Sequence, residues 1–160
     1  MRPLLIGQAP GPNTDPECPL FPVPARATGG RLQELTGLTR GDYLRTFDRM
    51  NLLPYFPGSD AQGDRFPVPD AKFAARAIRP LLNGRTVVLV GRNVATAFGF
   101  KFEFHEWCEH WYARRRCSVQ KDNGTCRMAV TPHPSGRSRW YNDPDNVEQA
   151  ERFWRDLLQD

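Results

Sequence analysis

Thr86-Val87-Val88-Leu89-Val90-Gly91 decides the fold. The five residues before the glycine carry no charge, and Thr86, Val87, Val88 and Val90 are β-branched, the composition of a strand buried on both faces. A strand covered on both faces belongs to a sheet with helices on each side. Residues 93–98, directly behind it, fit a short helix, so the unit reads as strand then helix.

Outward toward the N-terminus, residues 69–83 repeat apolar side chains at three and four (Phe73, Ala74, Ala77, Ile78, Leu81, Leu82), with Asp70 near the start and Gly84 after the end. That spacing predicts an amphipathic helix. Met50-Asn51-Leu52-Leu53 is a second apolar run, stopped by Pro54-Tyr55-Phe56-Pro57-Gly58, and reads as a strand entering an irregular loop. Residues 29–38 and 40–47 carry helical spacing. Leu4-Leu5-Ile6-Gly7 is a third short strand, and the proline-rich residues 8–24 after it cannot be regular structure. Toward the C-terminus, residues 102–119 read as extended or partly extended, Lys121-Asp122-Asn123-Gly124 as a turn, and Met128-Ala129-Val130-Thr131 as the last strand. Residues 143–158 close the chain as a helix with Val147, Ala150, Phe153, Trp154, Leu157 and Leu158 on one face, capped by Asp143 or Asp145. Strands alternating with helices predict a three-layer α/β/α fold around a central, mostly parallel sheet of about four strands.

A chain of 160 residues is the size of one ordinary domain, so residues 1–160 are expected to share one core. An apolar fraction of 39% with four Trp, ten Phe and four Tyr excludes a disordered chain, while 15 Pro and 13 Gly require much ordered loop. A formal charge of +4 favours a polyanionic partner. The arginines cluster at Arg114, Arg115, Arg116 and Arg127 beside Lys121, and again at Arg137 and Arg139, which suits phosphates or a solvated surface. No stretch approaches the roughly 18 apolar residues of a membrane span, and no signal-peptide pattern precedes the first strand, so a cytoplasmic monomer away from membranes is expected. Cys18, Cys108, Cys117 and Cys126 form no CxxC pair, and neither a metal nor another cofactor is expected.

In such a sheet, ligands bind beyond the carboxyl ends of the strands. Three strands there enter Gly- and Pro-rich loops: Gly7-Gln8-Ala9-Pro10-Gly11, Asn51-Leu52-Leu53-Pro54-Tyr55 and Thr131-Pro132-His133-Pro134-Ser135-Gly136. Together they offer amides from Gln8 and Asn51, a carboxylate from Asp15, an imidazole from His133 and aromatic faces from Phe21 or Tyr55. That is a set of parts for holding a nucleobase. Breaking an N-glycosidic bond builds positive charge on the sugar and negative charge on the departing base, so it needs an anion stabiliser, a group that positions water and a flat clamp.

Gly7-Gln8-Ala9-Pro10-Gly11 resembles the first motif of the uracil-DNA glycosylase superfamily, and His133-Pro134-Ser135-Gly136 resembles its second. Residues 51–58 and 87–98 are similar to the corresponding segments of its thermophile-type, iron-sulfur branch, so the resemblance covers nearly the whole chain. It implies a monofunctional DNA glycosylase that flips a uracil-like or modified pyrimidine out of DNA and leaves an abasic site. It further implies that Asn51 discriminates the flipped base, Phe21 stacks on it, Gln8 and Ala9 shape the pocket and His133 contacts the base oxygen that gains charge. Ser135 and Gly136 would meet a DNA phosphate, with Arg137, Arg139 or Trp140 wedging into the duplex or holding the strand.

The chain departs from the family pattern where family members carry Asp or Asn at the position of Ala9, or Glu at that of Gln8. Asp15 is the substitute carboxylate expected here, with Glu17 and Asn13 in the same loop; the alternative is that Asp15 caps a turn. The branch's cluster-binding cysteines are also missing, since none precedes Gly7. Lys72, Lys101 and Lys121 all lie outside the three loops, so no lysine Schiff base is expected. These departures raise a different base, including the hydroxymethylated or glucosylated cytosines of phage DNA, and with it an antiphage role. The alternatives are a catalytically inactive relative that binds DNA or protein, and, ranked last, a covalent trap through His133 or His105.

Overall fold

The computed structural model describes residues 1–61, 63–99, 101–112, 124–135 and 138–159. Along the chain they form β1 (Leu4–Gly7), α1 (Thr28–Thr36), α2 (Arg40–Thr46), β2 (Asp48–Asn51), β3 (Ser59–Asp60), β4 (Gly63–Asp64), α3 (Val68–Ile78), β5 (Thr86–Val90), α4 (Arg92–Phe98), β6 (Cys108–Tyr112), β7 (Gly124–Thr131) and α5 (Pro144–Gln159). Short 3-10 turns follow α3 at Arg79–Leu82 and precede α5 at Arg139–Asn142.

The main sheet runs β2-β1-β5-β7-β6, its first four strands parallel and β6 antiparallel on the edge. Strand alternation sends successive residues to opposite faces. Leu4, Ile6, Val87, Leu89, Met128 and Val130 pack with Ala71 and Ala75 of α3 and Val94 and Phe98 of α4. Leu5, Val88, Val90 and Ala129 pack on the other side with Leu32 of α1, Tyr43 of α2 and Phe153, Trp154 and Leu157 of α5. The chain is therefore a three-layer α/β/α fold with four parallel strands, as the sequence predicts, plus one antiparallel strand.

From β1 the chain crosses by α1 and α2 to β2, then returns by α3 to β5 on the other side of β1. The two crossovers use opposite faces of the sheet. Their divergence beside β1 opens a crevice at the strand carboxyl ends, the place such sheets use for ligands.

Several elements differ from expectation. Strand β2 begins two residues before Met50, because Asp48 is tied to β1 by its N–H to Pro3 O at 3.0 Å and to Arg85 by an ion pair. Leu52 and Leu53 lie beyond it, buried, and their N–H groups reach the carbonyls of Gly7 and Gln8 at 2.8 and 2.9 Å. Strand β7 starts at Gly124 instead of Met128, its first half pairing with β6. On α3 the small residues Ala71 and Ala75, one turn apart, face the sheet, so Phe73 turns outward, 74% exposed, as does Leu81 on the 3-10 turn after it, 72% exposed. Asp143 caps α5, its Oδ1 accepting the N–H of Asp145 at 3.0 Å.

Candidate active site

The loops after β1, β2 and β7 meet in one cleft of about 910 Å³ at the carboxyl edge of the sheet. Gln8, Ala9, Asn13, Asp15, Phe21, Asn51, His133 and Ser135 all line it, so eight residues read from separate segments are brought to one place. Gly136 and Arg137 lie outside the described residues, as do Arg114, Arg115, Arg116, Cys117, Lys121, Asp122 and Asn123. Arg139 is exposed on the 3-10 turn before α5.

Each wall has a local cause. Gly7 and Asn51 are paired in the β1–β2 register, and the Asn51 amide oxygen fills the space that a β-carbon on Gly7 would need, at 2.6 Å. The glycine thus lets the amide fold back over the end of β1. The Gln8 carbonyl is bound by Leu53, and its side-chain oxygen accepts from Asn93 Nδ2 at 3.3 Å, which fixes the amide between β1 and α4. Phe21 stands under the Arg40 guanidinium, 5.1 Å from the ring centre, while the carbonyl of Leu20 before it accepts from Tyr43 OH at 3.3 Å.

The His133 loop is anchored at its root. Gly91 donates its N–H to Thr131 O at 2.8 Å, and Tyr141 OH donates to Pro132 O at 2.9 Å. Gly91 has φ of +100°, and a β-carbon there would stand 3.1 Å from His133 Cβ and 3.3 Å from Gln8 Nε2. Only glycine combines that backbone with that contact. Burial lowers the pKa of His133, and the negative charge of Asp64 opposes the shift in part. At neutral pH the imidazole is therefore uncharged, with one N–H to donate.

Behind the loop, His105 Nε2 lies 3.1 Å from Oγ1 of the fully buried Thr131, and the His105 ring packs between Trp140 and Phe153 at 5.2 and 4.9 Å. His105 is a core residue with left-handed backbone, φ +65°. Trp140 is held in the same cluster, against Phe104, His105 and Tyr141, and its carbonyl accepts from Asn146. Its ring borders a second, smaller hollow that shares Gln8 and His133 with the main cleft.

Burial lowers the His105 pKa to about 4. Between about pH 6.5 and that value the unfolded chain binds a proton that the native state does not, so stability is full above the window and falls as pH drops through it. His105→Asn, which tolerates the left-handed backbone, is expected to flatten the decline of Tm between pH 6.5 and 4. A slope equal to that of the wild type would contradict this placement.

Some residues escaped the sequence reading. Phe56, not Tyr55, is the second aromatic of the cleft; Tyr55 points away and donates its OH to Asp70 at 2.6 Å. Asp64 and Arg65 line the cleft from the β3–β4 hairpin. Asp15 also lines it, but its Oδ1 accepts the Glu17 N–H at 2.9 Å and its carbonyl the Cys18 N–H at 3.0 Å, so it closes a turn. Among the described residues, no three His, Cys, Asp or Glu side chains gather as a metal would require, and no helix is long and apolar enough to cross a membrane. No protein-family model matches the chain, and no curated protein matches it in sequence.

Proposed function

We propose that the chain is a monofunctional DNA glycosylase acting in the cytoplasm, which takes a flipped uracil-like or modified pyrimidine into the cleft and hydrolyses its N-glycosidic bond. The observation that carries this reading is the convergence of Asn51, His133 and Phe21 on one cleft, each from a different segment of the chain and each with the chemistry that base excision needs. Phe21 and Phe56 offer flat faces to a base, Asn51 offers a donor and an acceptor to its edge, and the neutral His133 offers an N–H to the oxygen that gains charge. The order of the two motif loops supports the same reading.

The volume also bears on the substrate. About 910 Å³ lies near the top of the roughly 300–1,000 Å³ range of small-molecule sites. A cleft of that size has room for a pyrimidine with a bulky 5-substituent. Hydroxymethylated and glucosylated cytosines therefore belong beside uracil among the substrates, and phage DNA is the place where the latter occur.

The experiment is base release from duplex and single-stranded oligonucleotides carrying uracil, mismatched thymine, hydroxymethylcytosine or glucosylated hydroxymethylcytosine, read as alkali-labile strand breaks. Release from at least one is expected, with DNA binding that weakens as salt rises. A second reading has one observation in its favour: Ala9 stands where the family carries its carboxylate, as an inactive DNA- or protein-binding relative would. Salt-sensitive binding with every strand intact would establish that reading instead.

A further inference from the structure

The departure at Ala9 leaves the reaction without the carboxylate that would activate water, and Asp15 is a poor substitute because its carboxylate already accepts a backbone N–H in its own turn. Among the described residues, the only other carboxylate lining the cleft is Asp64. It sits on β4, in a hairpin whose register pairs Ser59 with Asp64 and Asp60 with Gly63, and which Arg65 N–H closes onto Gly58 O at 2.9 Å.

Two features free Asp64 for chemistry. The neighbouring Arg65 guanidinium turns to Asp60, 3.6 Å away, and the Asp64 carboxylate, unlike its backbone in the hairpin, makes no hydrogen bond or ion pair among the described residues. Its charge also reaches His133, raising an imidazole pKa that burial lowers. The other charged groups around His133 are Asp15 and Arg65 in the cleft and Arg92 in the smaller hollow, and none of these is a free carboxylate.

We propose that Asp64 is the general base of the site, holding the attacking water across the cleft from His133; this rests on the glycosylase reading above. In the step, the water oxygen bonds to the anomeric carbon as the bond from that carbon to the base nitrogen breaks. The bond pair leaves with the base, the water proton passes to the Asp64 carboxylate and then to solvent, and His133 N–H holds the oxygen where the base carries its negative charge. The base later takes a proton from solvent. While charge builds on the sugar, the same carboxylate faces it with opposite sign.

The test compares Asp64→Asn, Asp64→Glu and Asp15→Asn with the wild type in single-turnover base release from the best DNA of the panel. Asp64→Asn is expected to lose about 10²-fold or more with unchanged DNA affinity, Asp64→Glu to recover part of it, and Asp15→Asn to lose clearly less than Asp64→Asn. A readout independent of turnover is the NMR titration of His133, whose midpoint should drop in Asp64→Asn once the facing charge is gone. Wild-type rates from Asp64→Asn, or an unmoved His133 midpoint, would overturn the assignment and leave the glycosylase reading standing. A wild type that releases no base from any DNA would overturn both.

Discussion

His133→Ala is expected to slow base release by about 10²–10³-fold, the size measured when one preorganised donor to a developing oxyanion is removed. The expectation follows from the placement of the imidazole. The ring is half-buried in the wall of the cleft, uncharged at neutral pH and carried on a loop whose root is pinned by Gly91 and Tyr141. A neutral donor fixed before the reaction needs no reorganisation as charge moves onto the base, so nearly all of its interaction appears in the transition state. The ring's removal leaves that charge to water in a partly closed site. Since neither Gly91 N–H nor Tyr141 OH bonds to the ring, the loop should keep its backbone, and DNA affinity and Tm should change little. Single-turnover rates, affinity and thermal melts together check this; an unchanged rate would remove His133 from the chemistry.

Trp154→Ala is expected to cost about 3–5 kcal/mol of stability, the range for large aromatic truncations in a core. Trp154 is fully buried on α5 and meets Phe47 and Phe153 edge-on at 5.9 and 5.2 Å, so it joins the loop before β2, the helix α5 and the sheet face of Leu5 and Val88. For a chain of this length the loss corresponds to a fall in Tm of roughly 6–20 °C. Phe73→Ala makes the comparison, because Phe73 is 74% exposed and should shift Tm by little. Equal effects of the two substitutions would mean that α3 and α5 present other faces to the sheet.

Phe73 also shows where the sequence stops being informative. Its spacing with Ala77 and Leu81 is helical, and spacing alone cannot distinguish a stripe of large residues from the neighbouring stripe of Ala71 and Ala75. The choice is made by the close approach of α3 to the sheet, a tertiary constraint. By contrast, β5 is legible because a strand covered on both sides must be apolar at every position, and its five residues are. The motif loops are legible for a related reason: glycine and proline end the strands at Gly7 and after Thr131, so the residues beyond them have to lie on the carboxyl rim. The β3–β4 hairpin has two residues per strand, too few for any alternation, and it carries Asp64 into the cleft unannounced. Tyr55 and Phe56 are adjacent aromatics in a loop, and their sequence gives no sign of which one faces inward.

The most direct measurement of the central claim is mass spectrometry of the DNA strand after a single turnover in ¹⁸O-labelled water. Hydrolysis at the anomeric carbon predicts a free base and a strand lighter by that base, with one labelled oxygen in the abasic sugar. A strand of unchanged mass, though bound by the protein, would contradict the account and make the cleft a binding site alone; a strand covalently joined to the protein would contradict it in favour of a histidine trap.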